Sequence, residues 1–211
     1  MEIDKTLRHD KRKITLIILG ALIVLLTVTY AYYMFQVGNG SKTNIDITSD
    51  TVDRLTFING DPISLRVNQF TLAEGSSTNV TGSTSSSANL KANSYNTTAS
   101  STYNAYFVID SNTFTYTNGT TPEMLLSITD PTGATVTSIT GLTYVTQNGV
   151  SGFDITNKDD TYVIASNYAI SANNATTGTT QTWNATVTFL NLATDQTGNE
   201  GKKINASLVL Q

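Results

Sequence analysis

The chain has a single histidine, His9, and no cysteine. Beyond its N-terminal tail there is no imidazole to serve as base for a serine nucleophile. Zinc and other transition-metal sites lose their usual ligands as well. No GxSxG, P-loop or GxGxxG pattern occurs. What remains is oxygen chemistry. Asp159 and Asp160 are the only adjacent carboxylates. Acid–base work on a bond needs two groups converging from separate loops, so this pair reads as a solvated turn. The stretch 190–203 gathers Asp195, Asn199 and Glu200. Oxygens on a loop can ligate calcium, but this spacing fits no standard calcium loop and reads as a hairpin connection. Trp183 and the tyrosines offer aromatic faces for stacking on sugars. Trp183 also heads an alternating strand, where a tryptophan is ordinarily a core residue. Lys91 is a candidate for an internal lysine–asparagine isopeptide bond, though nothing beyond the presence of lysine and carboxylates points to it. None of these assigns a catalytic, cofactor or metal residue. The expectation is a protein that is not an enzyme and needs no cofactor.

Seven Asn-x-Ser/Thr sequons, at Asn39, Asn79, Asn96, Asn118, Asn174, Asn184 and Asn205, carry little information in a chain so rich in Asn, Ser and Thr. Charged residues make up only 13% of the 211 residues, about half the usual share of roughly 25%. Thr fits a pleated strand because its branched Cβ is stiff, and Asn and Ser fit turns. The charge is also unevenly placed. Lys5, Arg8, Lys11, Arg12 and Lys13 stand against Glu2, Asp4 and Asp10 in the first thirteen residues, while the whole chain has a formal net charge of −4. The remainder is therefore acidic, with no basic stripe for nucleic acid.

From Ile14 to Gln36 there is no charge at all. At about 1.5 Å per residue, roughly 20 apolar residues cross a hydrocarbon core about 30 Å thick. Ile14, Leu16, Leu19, Leu22 and Leu25 supply the apolar length, and Tyr30 and Tyr33 have the polar-tipped rings that favour the headgroup interface. Lys11, Arg12 and Lys13 abut one end, so the positive-inside rule holds the N-terminus in the cytosol and sends the C-terminus out. The segment reads first as an uncleaved anchor, with a cleaved signal peptide as the alternative. Thr29 and Ala31 supply the small residues that a signal peptidase reads, placing a cleavage site near Ala31. The chain accordingly divides into a basic cytosolic tail (1–13), a transmembrane or signal helix (14–36), a linker (37–45) containing Gly38, Gly40 and Ser41, and an extracellular domain (46–211).

That outer part reads as strands. Period-2 alternation predicts them at Thr56–Ile58, Ile63–Leu72, Ser86–Ala92, Tyr103–Asp110, Met124–Thr129, Thr135–Ile139, Leu142–Thr146, Tyr162–Ala165, Tyr168–Ser171, Thr182–Leu190 and Ile204–Leu210. Asp130-Pro131-Thr132-Gly133 has Pro and Gly where a turn favours them, and predicts a hairpin between its flanks. Asn59-Gly60, Asn118-Gly119 and Asn148-Gly149 mark further turns. The spacing predicts an all-β fold, an antiparallel two-sheet sandwich of jelly-roll or immunoglobulin-like type with about 8–10 strands. Between Thr71 and Tyr106 the only charges are Glu74 and Lys91, and there is no proline. This polar stretch reads either as an unprotected edge available for pairing or as a plain surface loop, with Thr81, Ser83 and Ser85 able to continue the following strand as a polar edge.

Thr29-Tyr30-Ala31-Tyr32-Tyr33 resembles the TYAYF pattern that ends the export signal of Gram-positive proteins of the camelysin/TasA kind. The run TWNATVTFLNL (182–192), the loop TDQTGNEGK (194–202) and the last strand are similar to small surface proteins of such bacteria. The aromatic run here continues through Met34 and Phe35, a departure from that pattern. The resemblance implies a jelly-roll sandwich, export, and a role in extracellular fibres or matrix. The expectation is a membrane-anchored or secreted surface protein, structural or adhesive and self-associating, with a carbohydrate- or protein-binding receptor module as the alternative. Its partners would be the membrane, a second copy, or a cell-surface protein or glycan.

Overall fold

A computed structural model of the chain describes residues 53–68, 78–93, 98–173 and 177–211. The span 14–36, with the topology residues Lys11 to Lys13 and the cleavage site at Ala31, lies outside them. Among the described residues no helix is long and apolar enough to cross a membrane. By its contacts the chain divides into residues 1–47 and 48–211.

The second unit carries ten strands among its described residues: β1 (Arg54–Ile58), β2 (Ile63–Arg66), β3 (Val80–Lys91), β4 (Ala99–Asn112), β5 (Met124–Thr129), β6 (Tyr144–Gln147), β7 (Val150–Asp154), β8 (Thr161–Ala172), β9 (Thr179–Phe189) and β10 (Lys203–Leu210). They form two antiparallel sheets, one of six strands in the order β1-β3-β9-β5-β7-β6 and one of four in the order β2-β10-β4-β8. This is the expected two-sheet sandwich.

Alternation explains the core. Ala88 and Leu90 on β3, Trp183, Ala185, Val187 and Phe189 on β9, and Met124, Leu126 and Ile128 on β5 line the inner face of the larger sheet. Ile204, Ala206, Leu208 and Leu210 on β10, with Tyr103, Ala105, Phe107 and Ile109 on β4, face them from the smaller sheet. The outward positions of β3 and β9 hold Ser, Thr and Asn. There cross-strand hydroxyl pairs form, Ser83 with Thr186 at 2.9 Å and Ser87 with Thr182 at 2.8 Å. Such pairs are the unit of cohesion between neighbouring strands.

The chain changes sheet between β1 and β2, at Asn59-Gly60-Asp61-Pro62. Gly60 packs so closely on β3 that a Cβ would collide with the backbone carbonyl of Ser85. Its N–H donates to Ser86 Oγ at 3.2 Å, and Ser86 Oγ in turn donates to the Leu208 carbonyl at 2.6 Å. One serine thus joins the crossover to both sheets.

The structure corrects several sequence expectations. Thr135–Ile139 is not a strand. The Asp130 turn forms, with Gly133 N–H on the Asp130 carbonyl at 3.0 Å and Thr129 bridging Thr135, but pairing stops there. The edge of β5 that this segment would extend along is taken by β7, through Leu125 opposite Asp154 and Leu126 opposite Phe153. The sequence reading missed β7 because Gly152 interrupts its pattern. That glycine is required where it stands, since a Cβ would meet the Leu126 carbonyl oxygen at 2.8 Å. Tyr162–Ala165 and Tyr168–Ser171 are one strand, β8, kinked at Asn167 (φ 52). The strand expected at Ile63–Leu72 ends its ladder at Arg66, and residues 69–72 lie outside the described ones. Within the polar stretch, the run continuing through Thr81, Ser83 and Ser85 is strand, β3, and it is no free edge, since it pairs with β9 from Val80 to Leu90 and with β1 from Ser87 to Lys91.

Candidate functional site

The most concentrated polar chemistry lies where three segments meet beside β5. Glu123, immediately before β5, is completely buried. Its Oε1 accepts the N–H and the hydroxyl of Thr117, both at 2.6 Å. Its Oε2 accepts Nε2 of Gln196 and Nδ2 of Asn199, both at 2.8 Å. Four donors on two carboxylate oxygens satisfy the buried acid without an ion pair, which is how a buried polar group is tolerated.

The donors are themselves held. Asn199 is fully buried and ends a short 3-10 turn, Thr197–Asn199. Its Oδ1 accepts the Thr115 N–H at 3.1 Å, and its Nδ2 also donates to the Thr115 carbonyl at 2.8 Å. Gln196 accepts the Leu192 N–H at 2.8 Å and donates to the Leu190 carbonyl at 3.0 Å. The backbone of Glu123 joins in, its N–H on Thr156 Oγ1 at 2.9 Å and its carbonyl taking the Leu190 N–H at 2.7 Å. The segment after β4, the start of β5 and the loop between β9 and β10 are therefore sewn together on one side chain.

This arrangement settles the calcium candidates. Asn199 turns inward to Glu123 and Thr115. Asp195 Oδ1 is occupied by the N–H and hydroxyl of Thr197, at 3.0 and 2.7 Å, and those bonds hold its carboxyl below the usual range. Glu200 is exposed. The three do not converge, and among the described residues no group of three or more His, Cys, Asp or Glu side chains is placed to hold a metal ion. Asp159 and Asp160 form an exposed turn before β8, Asp160 accepting the Thr161 N–H at 2.7 Å, as expected of a solvated pair. Lys91 ends β3 opposite Arg54, away from the Glu123 cluster.

Trp183 is core rather than platform. It is 1% exposed, donates Nε1–H to Tyr103 Oη at 2.9 Å, and meets the Tyr168 ring edge-on at 5.0 Å. Tyr103 in turn donates its hydroxyl hydrogen bond to Gln181 Oε1 at 2.8 Å, and Gln181 Nε2 donates to the Ala169 carbonyl at 3.1 Å. The chain of bonds crosses from β9 to β4 and β8, tying the two sheets.

A second tyrosine responds to pH. Tyr116 donates to Asp154 Oδ2 at 2.7 Å. Burial, then that hydrogen bond and the neighbouring charge, push its phenol from 10.0 up to about 12. Tyr103, Tyr162 and Tyr168 are raised too, in each case chiefly by burial. The unfolded chain ionises its tyrosines first, so their stabilising share is whole below pH 10.0 and is lost as pH climbs through about 12. The midpoint of thermal unfolding, followed upward from neutral pH, is expected to fall above that lower value. The fall should be shallower in Tyr116→Phe. An equal slope in the variant would show that Tyr116 does not contribute to the alkaline loss.

Outside these clusters, the longest unpaired edge among the described strands is β8. It has twelve residues, no charge and no proline, and β4 covers only one side of it. The other edge strands, β1, β2 and β6, have five, four and four residues. Among the described residues, Val163 on β8 is one of two large apolar side chains left exposed, at 46%. Compared with known proteins, the chain matches no family model, no curated protein and no solved structure.

Proposed function

We propose that the chain is a non-catalytic bacterial surface protein, exported through or anchored by the span 14–36, whose sandwich acts as a structural or adhesive module and self-associates through β8. The observation that carries this reading is the β8 edge. A strand edge that no other strand covers, with neither charge nor proline to blunt it, is a template for another strand, and here one carbonyl of the strand, that of Ala169, is already capped by Gln181 Nε2. Main-chain hydrogen bonds then supply affinity, and side chains such as Val163 supply fit. The uncharged span behind a basic cluster supports export with the sandwich outside.

Residues 48–211 are expected to grow in size with concentration by light scattering, and Val163→Lys, which places a charge on the edge, is expected to keep them monomeric. A strictly monomeric parent across concentration and pH, together with a partner found in a glycan or surface-protein screen, would establish the receptor alternative instead. For orientation, protease added to intact cells should remove the sandwich and spare the tail at 1–13. A C-terminal epitope protected until lysis would reverse the topology.

A further inference from the structure

We propose that the Glu123 cluster is an internal cross-linking site, where the hydroxyl of Thr117 forms an ester with the side chain of Asn199. Glu123 holds the prospective nucleophile and the prospective leaving group on the two oxygens of one carboxylate. Thr117 Oγ1 donates to Oε1 at 2.6 Å and Asn199 Nδ2 to Oε2 at 2.8 Å. The Thr117 methyl lies against the turn that carries Asn199, for a Cβ on Gly198 would stand 3.2 Å from it. The Asn199 carbonyl oxygen is polarised by the Thr115 N–H at 3.1 Å.

Each part has a chemical role. A hydroxyl becomes a competent nucleophile when an adjacent base takes its proton. A fixed N–H on the carbonyl oxygen stabilises the negative charge that develops there. Holding both groups in one cage replaces an encounter in solution with an intramolecular step. Glu123 and Asn199 are both 0% exposed, so competing water is kept from the carbonyl and from the ester once made.

The step balances without a co-reactant. The Thr117 hydroxyl proton passes to Glu123 as Oγ1 bonds to Cγ of Asn199. The tetrahedral intermediate collapses, the bond from Cγ to Nδ2 breaks, and Glu123 returns the proton to the nitrogen, which leaves as ammonia. The bond formed joins the segment after β4 to the loop before β10. Gln196 also donates to Oε2, but its carbonyl oxygen accepts the Leu192 N–H within its own loop.

Intact-mass spectrometry of the folded full chain tests this. The expected result is a protein lighter by one ammonia than its sequence, and a proteolytic fragment in which the peptides containing Thr117 and Asn199 are joined. Thr117→Val and Glu123→Gln should each show the full encoded mass. Thr117→Ser, which keeps a hydroxyl, should restore the loss of ammonia and the joined peptides even if Thr117→Val folds poorly. A folded parent at full mass overturns the proposal. So does a loss of ammonia confined to one peptide, or a link from Thr117 to Gln196.

Discussion

Glu123→Ala is expected to lower the stability of the sandwich by about 3–5 kcal/mol, most of the margin of a domain held by roughly 5–15 kcal/mol. The size follows from what is left behind. Without the carboxylate no Thr117–Asn199 link forms, and the Thr117 N–H, the Thr117 hydroxyl, Gln196 Nε2 and Asn199 Nδ2 are all left without this acceptor. A buried donor without a partner costs about 1–3 kcal/mol. The four losses do not add in full, because Gln196 and Asn199 keep their bonds to the Leu190 and Thr115 carbonyls. Glu123→Gln keeps the volume but turns an NH2 toward donors on one side, so an intermediate loss of about 2 kcal/mol is expected. Urea unfolding of full-length variants measures both. Hydrogen exchange should locate the first loss of protection at 114–117 and 190–203. A Glu123→Ala protein within about 1 kcal/mol of the parent would mean that water repairs the site and that the cluster does not hold the loops.

Little of this cluster could be seen in the sequence, and the reason is physical. Strand periodicity reports which face of a sheet meets the core, because successive side chains alternate in direction. It therefore located β4, β5, β9 and β10 closely, and the turn at Asp130. It carries no information about a carboxylate before a strand that finds its donors at Thr117, Gln196 and Asn199. Glu123, after Thr121-Pro122, looks like any charged loop residue. In the sequence Asn199 reads as an oxygen ligand for a cation. The structure uses its nitrogen as a donor to Glu123 and gives its oxygen to a backbone N–H. The one available hint was that the amides of Asn191, Gln196 and Asn199 in this loop must be satisfied somewhere. Strand partners were equally hidden. The Ser-rich run Thr81–Ser87 looked like an unprotected edge, yet it lies along β9, where its hydroxyls are matched by Thr186 and Thr182. The edge without protection is β8, whose apolar alternation gave no sign that one side would stay unpaired.

Trp183→Ala should also cost about 3–5 kcal/mol, the usual range for removing a large buried aromatic, and its partner makes the origin of that loss separable. Trp183 contributes packing and one hydrogen bond, to Tyr103 Oη at 2.9 Å. Tyr103→Phe removes only the hydroxyl. It leaves the indole N–H of a residue 1% exposed with no acceptor, an expected cost of about 1–3 kcal/mol. Trp183→Phe removes the donor and part of the volume. If the hydrogen bond matters as a pair, the Tyr103→Phe/Trp183→Phe double variant should be more stable than the sum of the two single losses predicts, because neither polar group is then stranded. Denaturant midpoints of the four proteins close the cycle, with near-ultraviolet circular dichroism reporting on the ring cluster around Tyr168. Simple additivity would assign the whole effect of Trp183 to its packing between the sheets, and the chain of bonds from Trp183 through Tyr103 and Gln181 to Ala169 would then carry no stability of its own.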